Sequence, residues 1–567
     1  MRNVVCSLVA LMFAAHVAAA QQVRGRVVDS ATASPISGAV ASLLDSAGRA
    51  LARTITDQQG RFRLSLATGA TRLQLLRIGF RPRDVRLQRS GGDIDVDTYM
   101  TPVPRFLESV RVSDREVCPG ATGGANALAL WEQARAGLLA TIVARDARPA
   151  RVQSLIYERR IDMPGWKIVS QIVNRHGGLS SRPFVASRPA AAFGAEGFMV
   201  EYGDDRHYFA PDADVLLDPA FAATHCFRVQ FDESGHPAQV GLGFQPAPGR
   251  DMLVDVSGVL WLDRNVPALR TLEFRFTGLE PAGTAAAAGG SLLFREMPHG
   301  VVFIERWKIL MPLFTALRTA GYSPPPTRRR TDRRDVVVND MIEGGGELVS
   351  AAWADARWDA TLGRLGGVVV ERGNGKPVPN VRVWLEGTGD STTTDSTGAF
   401  LITGLLPGPY KLRAADTTLA EFGFSQSRET GVDVARELPT AVTVRWDSLR
   451  DLIARQCRGQ DMPVATIPIF GRAYLPSGKP ATNGVVGAKW KNFLSVTEMG
   501  VLFRDMDRKS AIDDGGRFQL CGVPRDRLVR IRALSGDALM KDTTVALSLD
   551  ATFGLLTVTL QPLPARP

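Results

Sequence analysis

The sequence predicts a mainly β protein in which three small β-sandwiches flank a central α+β domain. A six-residue motif, Asp-x-x-Gly-x-Phe, occurs three times, each time between strand-like segments. Between the first two copies, one segment has apolar residues at helical spacing. The segments after it alternate apolar and polar residues with a period of two. The length of 567 residues fits this organisation, since one domain takes roughly 100–200 residues.

Residues 1–20 predict a signal peptide. Arg2 supplies a positive charge, residues 4–17 are nearly all apolar, and Ala18-Ala19-Ala20 offers small residues to a peptidase. We predict cleavage after Ala20 and export to the periplasm, the outer-membrane periphery or the medium. The alternative is an uncleaved membrane anchor, but the apolar run is shorter than the roughly 20 residues that a helix needs to cross a bilayer. No later run is long enough to span a membrane.

The cysteines agree with export. Cys6 lies inside the apolar run and not at its end, which disfavours a lipoprotein anchor. The remaining four form an even set, as expected for disulfides in an exported chain. Three pairings are open, and proximity within domains favours Cys118–Cys226 and Cys457–Cys521. Four buried free thiols are the alternative.

The repeated motif predicts a hairpin in each copy. Its aspartate opens a turn through a side-chain hydrogen bond, its glycine supplies a positive φ, and its aromatic starts the next strand facing inward. A Gly-x-Pro-x-x-x-Val stretch, as at residues 375–381, predicts another turn that leads into a core strand. The three sets are Asp57, Gly60 and Phe62; Asp395, Gly398 and Phe400; and Asp513, Gly516 and Phe518.

These residues resemble the carboxypeptidase regulatory-like domain, a prealbumin-like, immunoglobulin-like β-sandwich. The resemblance covers residues 23–102, 363–440 and 467–562, and residues 404–410 match the family's Gly-x-x-x-Gly-x-Tyr turn. The third copy departs from the family pattern, because Gly522-Val523-Pro524 stands at this turn without the tyrosine. The resemblance implies a fold and no chemistry. Residues 441–466 are predicted to be a linker helix.

The central region, residues 105–360, begins with a predicted helix over 126–146 whose apolar stripe packs into a core. Alternating segments then predict an antiparallel sheet. Gly344-Gly345-Gly346 is interpreted as a flexible joint. The predicted strands are 152–162, 166–174, 226–232, 257–263, 269–276, 291–296 and 301–310.

Residues 258–263 and 268–270 also resemble a hairpin of the half-barrel lipoprotein-carrier type. This resemblance implies a curved sheet with an apolar concave face. Such a face holds either a lipid or the protein's own helix, and we favour a core filled by the protein itself.

The formal net charge of +10 suits anionic partners. Most of the excess is scattered arginine, and a cluster after three prolines is interpreted as a solvated linker: Arg328, Arg329, Arg330, Arg333 and Arg334. Since export is predicted, nucleic acid is not expected as a partner.

We predict no catalytic, cofactor or metal site from motifs. No mature histidine has the glutamate or second histidine at the spacing that a catalytic zinc site of the carboxypeptidase type needs. The nucleophile elbow and the phosphate-binding glycine loops are absent from the sequence.

Two weaker candidates remain. One polar cluster is interpreted as a solvated loop, with a cation or sugar site as the alternative: Asp204, Asp205, His207, Asp212 and Asp214. Four aromatics are candidate stacking platforms for a glycan: Trp384, Tyr410, Tyr474 and Trp490. An aromatic content of 7% is low for a glycan binder.

These observations favour an exported, non-enzymatic binding or scaffolding protein of the cell envelope, recognising an envelope protein or polysaccharide. The first alternative is carbohydrate binding through a sandwich face. The second is a hydrolase or lipid binder that works through the central domain. A plug of an outer-membrane receptor is disfavoured, because no long series of lipid-facing strands follows.

Overall fold

The structure is a computed structural model. It describes residues 21–88, 92–103, 118–119, 125–163, 165–179, 190–202, 205–279, 287–316, 336–415, 422, 428–497, 500–536, 538–539 and 542–562. The chain divides into two compact units, Met1–Ala360 and Thr361–Pro567. Among the helices described, none has the length and apolarity to cross a bilayer. The predicted signal peptide and the arginine cluster at 328–334 lie outside the described residues.

The first sandwich has two sheets enclosing one apolar core. Its strands are β1 (Gln22–Asp29), β2 (Val40–Leu44), β3 (Ala50–Ile55), β4 (Arg61–Ser65), β5 (Arg72–Leu76), β6 (Arg83–Arg86), β7 (Ile94–Asp95) and β8 (Thr98–Met100). One sheet has the order β4-β1-β7 with β8 also on β1, and the other has the order β3-β2-β5-β6. β1 runs parallel to β7 and β8, while the remaining pairs are antiparallel.

The repeated motif forms the turn between β3 and β4. Oδ1 of Asp57 accepts hydrogen bonds from the backbone N–H of Gln59 at 2.9 Å and of Arg61 at 2.8 Å. Gly60 has a φ of 72°, in the region where a Cβ is disfavoured. Phe62 then enters the core, 5% exposed. The local chemistry of the turn therefore sets the direction of the aromatic.

The second and third copies repeat this geometry. Asp395 accepts from the N–H of Ala399 at 3.0 Å and Asp513 from that of Arg517 at 2.8 Å. The aromatics are buried, with Phe400 6% and Phe518 3% exposed. The φ values are 72° at Gly398 and 76° at Gly516.

A glycine in the first strand of each sandwich gives this aromatic its space. A Cβ added to Gly367 would lie 2.6 Å from Cζ of Phe400, and one added to Gly471 would lie 2.1 Å from Cζ of Phe518. In the first sandwich the corresponding glycine, Gly25, lies opposite Phe62 in the β1–β4 pairing. The motif thus has a fourth position, distant in sequence, that the sequence analysis did not identify.

The central domain is built on an antiparallel sheet of ten strands. The strands are β9 (Arg151–Asp162), β10 (Lys167–Leu179), β13 (His225–Gln230), β14 (Gln239–Pro246), β15 (Asp255–Asp263), β16 (Leu269–Thr277), β17 (Gly289–Glu296), β18 (Val302–Ala316), β19 (Val336–Ala352) and β20 (Arg357–Asp359). Their order is β10-β9-β19-β18-β17-β16-β15-β14-β13, with β20 on β19. The smaller elements are α2 (Ala190–Glu196), β11 (Met199–Tyr202), β12 (Asp205–Tyr208), α3 (Ala213–Leu216) and α4 (Pro219–Ala222).

Helix α1 (Ala125–Ala147) packs on this sheet, close to the predicted bounds. Its buried Leu130, Leu138 and Val143 share one hydrophobic core with strand residues such as Leu260 and Leu272. The apolar stripe of the helix is therefore core packing, and the protein's own helix covers this part of the sheet.

Strands β14 and β19 were not among the predicted strands. The prediction of a flexible joint at Gly344–Gly346 is wrong, since these residues lie within β19, paired with β18 on one side and β9 on the other. A Cβ at Gly345 would lie 2.3 Å from the Tyr157 ring, and one at Gly346 would lie 2.5 Å from Nε1 of Trp307. The glycines are there because neighbouring aromatic rings lie across the strand.

The first sandwich is attached to α1 through buried contacts. The side-chain oxygen of Gln133 accepts from the N–H of Gly79 at 2.7 Å, and its amide group donates to the carbonyl of Phe80 at 3.1 Å. Ile78 fits over Gly137, where a Cβ would lie 2.5 Å from its Cδ1. The glycine in the helix thus admits a side chain from the sandwich.

The second unit holds two further sandwiches with the strand order of the first. The second sandwich has β21 (Gly363–Glu371), β22 (Arg382–Leu385), β23 (Ser391–Thr393), β24 (Ala399–Leu405), β25 (Gly408–Ala415), β26 (Arg428–Val434) and β27 (Thr440–Trp446). The third has β28 (Thr466–Tyr474), β29 (Gly484–Thr497), β30 (Gly500–Ala511), β31 (Arg517–Pro524), β32 (Leu528–Ser535), β33 (Ala538–Leu539), β34 (Thr543–Ala546), β35 (Gly554–Thr559) and β36 (Gln561–Pro562).

The sheets of the second sandwich are β24-β21-β27 and β23-β22-β25-β26. Those of the third include β31-β28-β35 and β30-β29-β32, and β34 also pairs with β32. In each sandwich the first strand pairs in parallel with a late strand. The third copy therefore shares the topology of the other two, although its sequence match is the weakest.

The linker helix predicted over 441–466 is shorter in the structure. Residues 441–446 belong to β27, which completes the second sandwich by pairing in parallel with β21. Only α5 (Leu449–Gln456) is helical, and it is capped by the Ser448 hydroxyl, which accepts from the N–H of Asp451 at 3.2 Å. The boundary moves because β27 alternates buried and exposed residues as a strand does.

Both predicted disulfides are present. Cys118 is joined to Cys226 at the start of β13, and Cys457 at the end of α5 is joined to Cys521 in β31. The second bond and the neighbouring Phe470 form a small core of their own. It attaches the helix after the second sandwich to the third.

Candidate functional site

A cavity of about 150 Å³ lies between helix α1, helix α3 and strands β9, β18 and β19. Strand β9 contributes Val152, Ser154 and Ile156, which share a face because side chains alternate along a strand. Helix α1 contributes Thr141, Ala144 and Arg145, whose spacing of three and four residues places them on one face, and Arg148 directly follows the helix. The cavity is thus formed where two regular patterns face each other.

One side of the cavity is cationic and neutralised by paired carboxylates. Arg145 lies 3.1 Å from Asp214, and Arg148 lies 2.7 Å from Asp355. Burial lowers the pKa of Arg145, but hydrogen bonds to Asp146 and Asp214 outweigh it, so the net shift is upward. The guanidinium group of Arg145 therefore stays charged beside the cavity.

The opposite side carries buried carboxylates. Glu305 of β18 and Glu347 of β19 are 7% and 5% exposed. Glu305 forms an ion pair with Arg295. Burial and the nearby Glu343 carboxylate raise the pKa of Tyr157, so the hydroxyl of Tyr157 stays protonated.

His299 is a further buried polar group beside the cavity wall. Its ring is 1% exposed and lies 5.2 Å from the ring of Trp353, which lines the cavity. Neither ring nitrogen has a hydrogen-bond partner among the described residues. Burial and the Arg148 charge lower its pKa, while Asp355 acts against them. The imidazole is therefore neutral at neutral pH.

The size of the cavity limits what it can hold. A dry cavity of about 150 Å³ accommodates a molecule the size of benzene, whereas sites for drug-sized ligands measure about 300–1,000 Å³. The walls of valine, isoleucine and tryptophan suit an apolar group, while the two arginines are already paired with Asp214 and Asp355. The arrangement fits a small amphiphile or a short acyl segment, and it is too small for a whole lipid.

The predicted acidic cluster does not form one site in the described part of the chain. Asp204 lies outside that part, and the exposed His207 packs edge-on against Tyr202 with ring centres 5.0 Å apart. Asp212 caps α3 by accepting from the N–H of Val215 at 2.9 Å, and Asp214 pairs with Arg145. Asp205 starts β12. No group of three or more possible metal ligands converges within the described residues.

The predicted glycan platform is wrong for two of its four aromatics. Tyr410 is 5% exposed and donates its hydroxyl to the carbonyl of Leu406 at 2.9 Å, and Trp490 is 7% exposed in the core of the third sandwich. Both rings are needed to fill a core. Trp384 and Tyr474 are half-buried, each beneath a neighbouring arginine, so none of the four candidate rings is fully open for stacking.

Sequence reasoning missed the cavity because its walls come from positions between 141 and 353. One signal was present. Thr141, Ala144 and Arg145 put an arginine on the apolar face of a helix predicted to pack in a core. A charge on a buried face calls for a partner or a ligand.

The carboxypeptidase regulatory-like domain model matches residues 22–101 and 364–447, which are the first and second sandwiches. The expected resemblance is confirmed there, and the match ends at residue 447, in agreement with the strand that extends the second sandwich. The third sandwich lies outside the matched segments. No curated protein sequence matches the chain.

Several solved bacterial structures are similar to this chain. The streptococcal ancillary pilin is 10% identical over 40% of this chain and 79% of that chain, with a TM-score of 0.16. The Bacillus anthracis TIE protein is 9% identical over 72% and 83%, with a TM-score of 0.15. BcpA, the major pilin subunit of Bacillus cereus, is 10% identical over 75% and 99%, with a TM-score of 0.13.

Proposed function

We propose that this chain is an exported, non-enzymatic binding and scaffolding protein of the cell envelope, in which β-sandwiches act as docking modules. The observation that carries the proposal is the attachment of the first sandwich to helix α1. There the module binds another part of the chain through its β5–β6 turn, with the backbone of Gly79 and Phe80 held by Gln133. A module that docks in this way within the chain is suited to docking on other proteins.

Export is tested by interrupting the apolar run before Ala20. We expect Leu8→Arg together with Leu11→Arg to leave the chain in the cytosol, because a charged run does not act as a signal. The control is Gln22→Arg, which lies beyond the proposed cleavage site. Fractionation of cells that express the full chain measures the outcome, and a cytosolic location of the unaltered chain would exclude the proposal.

Docking is tested by photo-crosslinking of the full chain in intact cells. A crosslinker placed at Lys376 or Lys479, in the exposed turns of the second and third sandwiches, should capture one recurring envelope protein. The same crosslinker at the buried Leu365 is the control, and labelling there should be confined to the chain itself. Equal, unselective labelling from all three positions would contradict a docking role.

A second function is favoured by the cavity, whose walls are largely apolar. We infer that the central domain binds the acyl part of a small amphiphile there. Short-chain fatty acids should raise its thermal midpoint, and Ala144→Leu, which fills the cavity from α1, should abolish the rise. Ala147→Leu, at the end of the same helix and outside the cavity lining, is the control. A rise that persists in Ala144→Leu would place the ligand elsewhere.

A further inference from the structure

The third sandwich carries a hairpin far longer than its counterparts. β29 and β30 have 14 and 12 residues, whereas β2 and β3 have 5 and 6, and β22 and β23 have 4 and 3. The three hairpins hold the same place in the same topology, directly before the repeated turn. The extension is therefore an addition to the fold and not a requirement of it.

The outer half of this hairpin leaves the sandwich. β29 pairs with β32 only over Gly484–Lys489, and from Trp490 onward it pairs with β30 alone in the described residues. Arg527, just before β32, donates to the carbonyl of Lys491 at 3.3 Å and to Oδ1 of Asn492 at 2.7 Å, so the projecting part begins at Phe493. At about 3.3 Å per residue, the stretch from Phe493 to Thr497 spans roughly 16 Å. Trp490 is the last core residue, so the remainder contributes little to the packing of the sandwich.

This projecting part is apolar and open to solvent. The exposed fractions are 59% for Phe493, 53% for Leu494, 47% for Leu502 and 54% for Phe503. Phe493 and Phe503 are direct cross-strand partners, with ring centres 6.4 Å apart. Exposed apolar patches of this kind mark sites of interaction.

Positive charge borders the patch. Lys491 precedes Phe493 by two residues on β29, and Arg504 follows Phe503 on β30. Both are exposed, and neither forms an ion pair with any residue the structure describes, although Asp505 is opposite Lys491 in the register. An apolar tip with unpaired cations beside it matches the boundary of a membrane, where acyl chains lie below anionic headgroups.

The patch is small for a protein partner. Four half-exposed side chains of this size offer roughly 400 Å², about half of the about 800 Å² that each partner contributes to a stable complex. A fluid bilayer sets no such demand, because a narrow hairpin can enter it without a complementary surface.

We propose that the β29–β30 hairpin is a membrane-binding element that inserts Phe493, Leu494, Leu502 and Phe503 into a bilayer containing anionic phospholipid. Lys491 and Arg504 contact the headgroups.

Vesicle flotation of the full chain tests the proposal, with phosphatidylglycerol–phosphatidylcholine vesicles compared with phosphatidylcholine alone. The unaltered chain should float with the anionic vesicles, and Phe493→Thr with Phe503→Thr should lower the bound fraction at least tenfold. Lys491→Gln with Arg504→Gln should weaken binding to the anionic vesicles and leave the weaker binding to phosphatidylcholine unchanged. The matched control, Leu438→Thr with Leu549→Thr, alters apolar residues that are 72% and 65% exposed elsewhere in this unit and should bind normally.

Threonine keeps the preference for a strand, and an unchanged thermal midpoint shows that each variant is folded. The proposal is overturned if the unaltered chain does not float with either vesicle, or if the double threonine variant floats as well as the unaltered chain. It is also overturned if light scattering shows a dimer that the threonine changes convert to a monomer, since the patch would then be a contact between copies.

Discussion

At the scale of single residues, the aromatic of the repeated turn holds each sandwich together. Phe400 fills the space over Gly367, and truncation to alanine leaves a cavity there. We expect Phe400→Ala to lower the free energy of unfolding of the second sandwich by about 3–5 kcal/mol, measured by hydrogen exchange of β21 and β24. The neighbouring Leu401 is 58% exposed, so Leu401→Ala should change it by less than about 0.5 kcal/mol. Equal losses of unfolding free energy in the two variants would show that Phe400 does not stabilise the sandwich in this way.

We expect His299 to make the stability of the first unit depend on pH. Burial and Arg148 depress its folded-state pKa below the ordinary value of 6.5, so below that pH the unfolded chain takes up a proton that the folded chain does not. Stability should therefore fall as the pH drops below about 6.5, by up to about 1.4 kcal/mol per pH unit. Thermal unfolding at pH 7.5 and 5.5 measures the loss, and His299→Gln should reduce it.

His176 supplies the control for that experiment, because it is an exposed histidine on β10 of the same unit. His176→Gln should retain the full acid sensitivity of the unaltered chain. If both variants lose stability in acid to the same extent as the unaltered chain, another group is responsible.

At the scale of elements, Gln133 tests how the first sandwich is attached to α1. Gln133→Ala leaves the buried N–H of Gly79 without its acceptor, which costs about 1–3 kcal/mol. We expect faster hydrogen exchange over residues 76–80. Glu132→Ala, at the neighbouring position that forms an ion pair with the half-buried Arg135, should leave this exchange unchanged. Exchange that stays slow in Gln133→Ala would place the attachment in the apolar contacts alone.

The elements also show what local sequence can predict. The turns at Asp57, Asp395 and Asp513 were predictable, because each is closed by hydrogen bonds within five residues. Strand β19 was not, because its Gly344–Gly346 segment has the composition of a loop and is a strand through its pairing with β18 and β9, where the rings of Tyr157 and Trp307 occupy the space of its missing side chains.

The candidate sites divide along the same line. Tyr410 and Trp490 were chosen as exposed platforms from composition, but which face of a strand is buried depends on the opposing sheet. The cavity draws its walls from one helix and three strands that are distant in sequence. No local pattern reports such a juxtaposition. The disulfide pairing could be predicted because the two cysteines of each pair lie inside one unit.

At the scale of the whole molecule, each unit has its own disulfide and its own hydrophobic core. Both disulfides close within a unit, Cys118–Cys226 in the first and Cys457–Cys521 in the second. The sandwich cores of the second unit contain residues of that unit alone. The three sandwiches share a topology, yet they differ in how far each depends on its surroundings.

The first sandwich should therefore fail to fold stably alone, while the second unit should succeed. Val40, Ile55, Leu76 and Ile78 are buried in the core that includes α1 and the ten-stranded sheet, and exposing each costs about 1.5–3 kcal/mol. We expect residues 21–103 to associate or bind a hydrophobic dye, and residues 21–360 and 361–562 to be monodisperse with cooperative thermal transitions. Size-exclusion chromatography with light scattering, together with circular dichroism, distinguishes the three segments. If residues 21–103 were as monodisperse and as cooperative as 361–562, the first sandwich would not need its contacts with α1 in order to fold. The module would then be free to detach from the central domain.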